Sequence, residues 1–154
     1  DEAVKQHGKG DSLALLVLAV RAGGSGLALA GNELSYAATR VVVANCGACL
    51  EWRNEAGNST WLHEAVWFGS TPTAHALIDS GAQLDVFDVD GGTPLAFAVL
   101  QNNVAMARLL LENGADSNAT RRSGGFSPIH VAAQEGNGYC LQGLLQHGAD
   151  VKQR

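Results

Sequence analysis

One dipeptide recurs along this chain at a nearly fixed interval. Gly-Ala stands at Gly47-Ala48, Gly81-Ala82, Gly114-Ala115 and Gly148-Ala149, at spacings of 34, 33 and 34 residues. Two further markers keep the same phase. Thr60-Trp61-Leu62-His63-Glu64-Ala65, Thr93-Pro94-Leu95-Ala96-Phe97-Ala98 and Ser127-Pro128-Ile129-His130-Val131-Ala132 follow one another at 33 and 34 residues. Ala76-Leu77-Ile78, Leu109-Leu110-Leu111 and Leu144-Leu145 each run ahead of a Gly-Ala pair. Self-similarity of this length marks stacked units, each too small to bury both of its faces alone.

Local chemistry gives each unit two helices. Thr93-Pro94 is a helix start, with Thr as the N-cap and Pro at the first helical position, where its missing N–H costs nothing. Leu95, Ala98 and Val99 then share one helical face. Ala96 and Ala98 are small enough to let neighbouring helices approach. Residues 104–112 form a second apolar helix, and Gly114 follows where a left-handed C-terminal cap favours glycine.

The period and these residues resemble the ankyrin repeat, with its T-P-L-H-x-A-A, L-L and G-A-D elements. The likeness covers roughly residues 13–154 and is strongest from Ser59 onward. It implies an all-α solenoid of helix-turn-helix units with projecting hairpin loops, in one domain of about four repeats, near 13–57, 58–91, 92–125 and 126–154. It also implies that His63 and His130 tie adjacent hairpins through backbone hydrogen bonds. Trp61 stands where the pattern has Pro, so its repeat is expected to pack unusually.

Residues 15–23 read as the first helix of an irregular N-terminal repeat. An insertion of about 12 residues, centred on residues 23–31, separates it from a second helix over 32–45. Packing of this apolar insertion over a helix is expected ahead of a role in partner contact. The chain closes on Gly148-Ala149-Asp150, where a further repeat would normally begin, and it starts without Met. Both features suggest a piece of a longer protein.

The composition excludes several classes of function. With 46% apolar and 16% charged residues, the chain has material for a core. A formal charge of −5 argues against direct nucleic-acid binding, which needs a basic face. The longest apolar run, residues 13–20, is well short of the roughly 20 residues that cross a bilayer. Three cysteines, only Cys46 and Cys49 forming a C-x-x-C, fit a reduced intracellular setting, cytoplasmic first and nuclear second. A structural zinc site needs four ligands, and no second pair supplies them. No cofactor is implied, and a monomer is expected. His75 and His147, on second helices or their ends, are expected in solvent.

Asp88-Val89-Asp90-Gly91-Gly92-Thr93 resembles the aspartate-nucleophile loop of phosphate-transferring enzymes. It lies, however, at the phase of the interhelical hairpin, and the loops 52–57 and 120–124 at that phase carry no aspartate pair. A phosphatase would also need a sheet with downstream βα units. A calcium loop counted from Asp88 would put Val99 at its twelfth position, where a bidentate Glu is required. A hairpin in a non-enzymatic protein is therefore expected.

The informative positions are those the repeat leaves free: the hairpin tips and the ends of the first helices. At the helix ends stand Trp67-Phe68, Leu100-Gln101 and Gln134-Glu135; at the tips stand Trp52-Arg53-Asn54, Phe87-Asp88-Val89-Asp90 and Arg121-Arg122-Ser123. Trp67, Phe68, Phe87, Val89, Asp90, Leu100, Gln101, Arg121, Arg122, Gln134 and Glu135 are the candidate partner-binding residues. Aromatic anchors with an arginine rim are the composition of an interface hot spot. Another protein or peptide is the expected partner. Residues 72–74 and 77–81 are similar to a stretch of the endosomal BTB–ankyrin–FYVE family, which makes a membrane-traffic adaptor the alternative. Circular dichroism should show a helix-dominated spectrum, and a chelator should leave thermal unfolding unchanged; a strand spectrum or a chelator-induced loss of stability contradicts these assignments.

Overall fold

The computed structural model describes residues 37, 39–41, 43–44, 50, 52–53, 58–120 and 127–152. Six helices run in pairs along it: α1 Trp61–Trp67 with α2 Thr71–Asp79, α3 Pro94–Leu100 with α4 Val104–Glu112, and α5 Pro128–Gln134 with α6 Gly138–Gln146. The first helices α1, α3 and α5 stack in one row and α2, α4 and α6 in a second. Residues 37, 39–41 and 43–44 are also helical, in agreement with the helix expected over 32–45. The first helix over 15–23, the insertion and the Cys46–Cys49 pair lie outside the described residues.

Three columns of side chains explain why the pairs stack. Leu62, Leu95 and Ile129 form one column; Leu77, Leu110 and Leu144 form another; all six are buried. Between the first helices run Ala65, Ala98 and Ala132, also buried. A methyl group at this position lets the backbones come close, as expected for Ala98. Ala96 differs: it is half-buried at the edge and stands where the other two repeats carry histidine.

The helix starts follow from short side chains. Thr93 Oγ1 accepts from Ala96 N at 3.2 Å, and Asn103 Oδ1 accepts from Met106 N at 3.1 Å. Thr60–His63 and Ser127–His130 form capping boxes in which the histidine fills the place usually held by Glu or Gln. The turn inside each pair needs a left-handed residue. Gly69 and Gly136 supply it at φ +68° and +70°, and Asn102 takes the same place at +52°, asparagine being among the few side chains that tolerate that region.

Polar struts fix each repeat to its neighbour. Asp85 Oδ1 accepts from Asp116 N at 2.8 Å, and one repeat later Asn118 Oδ1 accepts from Asp150 N at 2.7 Å. Asn137, buried at the start of α6, donates to the carbonyl of Val99 at 2.6 Å. Gln101 donates to the carbonyl of Trp67 at 3.0 Å.

His63 is the strut that its resemblance implied. Its Nδ1 accepts from Thr60 N at 3.2 Å, so the ring proton sits on Nε2, which lies 3.2 Å from the Gly92 carbonyl and donates to it. The helix start of one repeat is thereby bonded to the hairpin of the next. Burial holds the imidazole below its ordinary value of 6.5, against the opposing pull of the Gly92 hydrogen bond and Asp88. His130 repeats the local half of this arrangement, with Ser127 N donating to its Nδ1 at 3.3 Å.

Trp61 does pack unusually. Buried at the first position of α1, it stacks on Trp52 with ring centroids 4.2 Å apart and planes 22° from parallel. Its indole N–H has no hydrogen-bond partner among the described residues.

Two expectations follow. Ala98→Val adds two methyl groups between stacked helices and should lower unfolding stability by about 1–3 kcal/mol, measured by chemical denaturation. The second concerns pH. Because folding lowers the His63 pKa, the unfolded chain takes up its proton first as pH falls below 6.5. Stability from this group is complete above that value and is lost as pH falls through the lower folded value. The unfolding midpoint should drop over this window, and His63→Asn should flatten the drop.

Candidate functional site

The outer ends of the first helices carry large apolar side chains that the stack does not cover. Trp67 is 57% exposed, Phe68 37% and Leu100 47%, while Val89 at the neighbouring hairpin tip is 53% exposed. Each sits where α1, α3 or the hairpin ends, and the helical period that buries Val66 and Val99 turns these positions outward. Gln134 and Glu135, at the same phase of the last repeat, are exposed polar residues.

Phe97 is the residue that sequence reasoning missed. Its ring meets Trp67 edge to face, with centroids 5.9 Å apart at 83°, and meets His63 in the same manner at 5.9 Å and 80°. It also presses on the hairpin: a Cβ added at Gly92 would lie 2.8 Å from Phe97 Cε2, so a side chain there would displace the ring. Phe97 holds the place that Glu64 and Val131 hold in the other repeats. An aromatic at a position whose counterparts differ was the available signal.

Together these residues frame a pocket of about 200 Å³, lined by Ser59, His63, Glu64, Trp67, Phe68 and Phe97. Trp67 and Phe68 are thus brought together as the sequence suggested. Phe87 and Leu100 do not line this pocket; Phe87 is half-buried, and Leu100 lies at the end of α3. Gln101 uses its amide on Trp67's carbonyl, which makes it a strut as well as a surface residue. Arg121 and Arg122 lie outside the described residues.

The hairpin tip settles the place of the aspartate pair. Asp88 is buried, and its Oδ1 accepts from Asp90 N at 3.0 Å and Gly92 N at 2.8 Å. A backbone bond from Asp88 N to Gly92 O, 3.0 Å, closes the same turn. The carboxylate of Asp88 therefore serves the loop's own backbone, while Asp90 is exposed at its tip.

The remaining candidates are structural or solvated. His75 is exposed, 3.9 Å from Asp79 on its own helix; His147, also exposed, has its Nδ1 2.9 Å from the Gly143 carbonyl. Cys140 is a buried free thiol whose pKa burial raises. Among the described residues no cluster of three or more His, Cys, Asp or Glu is placed to hold a metal, and no helix is long and apolar enough to cross a membrane. The stretch that is similar to the BTB–ankyrin–FYVE family lies on α2. Within it Thr73, Ala74 and Leu77 are buried by the stack, while Asp79 and Gly81 are exposed.

Comparison with known proteins places this architecture. A family model described as ankyrin repeats, in three copies, matches residues 62–154. The chain is 34% identical over 121 residues to the Arabidopsis thaliana E3 ubiquitin-protein ligase KEG, covering 77% of this chain and 7% of that protein. It is 40% identical over 99 residues to the Mus musculus ankyrin repeat and SOCS box protein 6, covering 63% of this chain and 24% of that one. It is 31% identical over 139 residues to the Drosophila melanogaster neurogenic locus Notch protein, covering 89% of this chain and 5% of that one. The chain thus spans less than a quarter of each of these relatives. With three matched repeats, six paired helices and hairpins bonded in register, the chain belongs to the ankyrin-repeat family.

Proposed function

We propose that this domain is a protein-binding module, acting as a monomer inside the cell, whose concave face receives a partner protein or peptide. The observation that carries this is the exposure of Trp67, Phe68, Val89 and Leu100 on the free ends of one row of helices and its hairpin. Ankyrin repeats bind other proteins, and aromatic side chains at an interface centre commonly account for about 2 kcal/mol or more of binding each. Asp90, Gln101, Gln134 and Glu135 provide the polar rim, and Arg121 and Arg122 are assigned to it from the repeat phase of the sequence. The chemistry is recognition, with no reaction assigned to the domain. The relatives differ widely in their named roles, so the fold leaves the pathway open.

Trp67→Ala with Phe68→Ala tests this reading. The double variant should lose partners captured from lysate by the unaltered domain, while Tyr139→Ala, on an exposed residue of α6, should retain them. Its stability should fall by only about 0.5–1.5 kcal/mol, the worth of the Trp67–Phe97 edge contact. A much larger fall would make these rings part of the core, and retained capture would place the partner face elsewhere.

A further inference from the structure

We infer that the pocket between Trp67, Phe68 and Phe97 receives an alkylammonium group, the side chain of a plain or methylated lysine on the partner. This assignment rests on the protein-binding function proposed above and names the chemistry of its anchor.

Three observations carry it. The first is shape. Phe97 stands nearly perpendicular to both Trp67 and His63, so the rings form the walls of a corner rather than a flat stack. The volume of about 200 Å³ is below the roughly 300–1,000 Å³ of pockets that hold whole small molecules, and it suits the end of one side chain. The faces of aromatic rings are electron-rich, and a cation placed over them is attracted.

The second observation is charge. Glu64 lines the pocket, and Asp90 is exposed on the neighbouring hairpin tip. Among the described residues, Asp88 faces His63 from that hairpin, Arg53 from the preceding one and Glu64 from its own helix, two carboxylates against one guanidinium. The third is the state of the floor. His63 Nδ1 accepts from Thr60 N, and its Nε2 proton is directed to the Gly92 carbonyl, so the ring presents neither charge nor a spare N–H to the pocket. A lining of aromatic rings and an acidic residue matches a cation and disfavours a carboxylate or phosphate. Burial favours this neutral imidazole. Protonation would add a positive charge beneath the ligand and weaken its binding.

The test uses the free domain, labelled with 15N, and small probes. These are tetramethylammonium, the N-acetyl amides of lysine, dimethyl-lysine and trimethyl-lysine, and the N-acetyl amide of norleucine as a neutral control. The charged probes should shift the Trp67 indole N–H and the Phe97 amide saturably, and norleucine should not. Glu64→Gln should weaken binding about fivefold, the equivalent of roughly 1 kcal/mol. Binding should hold at and above pH 6.5 and weaken as pH falls below it, through the lowered value of the folded His63, and His63→Asn should remove that dependence. Circular dichroism melts confirm that both variants remain folded. Equal shifts with norleucine, or none with any ammonium, overturn the assignment. Tighter binding of the methylated forms assigns a modified lysine, and equal binding of the plain form an ordinary one; both support the pocket. Because no partner is used, loss of capture by the Trp67 and Phe68 variant without ammonium binding overturns the pocket alone. Ammonium binding with capture retained overturns the proposed partner face.

Discussion

The close approach of α1, α3 and α5 through Ala65, Ala98 and Ala132 is the constraint on which the rest of the structure depends. A single helix pair of this length cannot bury its apolar faces; only stacking removes them from water. The alanines set the distance, and the leucine columns on either side fill the space that distance leaves. Once the spacing is set, the hairpins come within hydrogen-bonding reach of one another. The regular struts from Asp85 to Asp116 and from Asn118 to Asp150 are a consequence of that spacing. Each is a modest interaction, net about 1 kcal/mol, but each also satisfies a backbone N–H that the loop would otherwise leave to water.

The same geometry explains the apparent active site. A hairpin held at fixed spacing must close its turn tightly, and Asp88 does so by accepting two backbone N–H groups. What looks in sequence like a nucleophile loop is a carboxylate engaged with its own backbone. Phe97 lies against Gly92 and would have to shift to admit a side chain there, and His63 bonds the Gly92 carbonyl from the repeat before. One short loop is therefore fixed from two sides by the repeats that flank it.

The proposed partner face is where the repeat departs from its own pattern. Glu64, Phe97 and Val131 occupy equivalent positions with unlike side chains, as do Trp67, Leu100 and Gln134. Packing does not dictate these places, which is why they vary and why apolar residues there remain exposed. Phe97 joins the two kinds of position. It supports the hairpin through Gly92 and also forms a wall of the pocket with Trp67. His63 likewise serves the stack with its two nitrogens and the pocket with its ring.

By itself the sequence determined the repeat, the helix start at Thr93-Pro94, the second helix over 104–112 and the outward phase of Trp67 and Phe68. These are local or periodic properties: capping chemistry acts within three residues, and a 33–34 residue period is visible without coordinates. Only the tertiary structure decided that Asp88 is buried in its turn, that Ala96 lies at the edge while Ala98 lies between helices, and that Phe97 rather than Phe87 walls the pocket. Each of these depends on which side chain of one repeat faces which backbone of the next. That relation spans some thirty residues of chain and is set by the distance between stacked helices, a quantity no local pattern encodes.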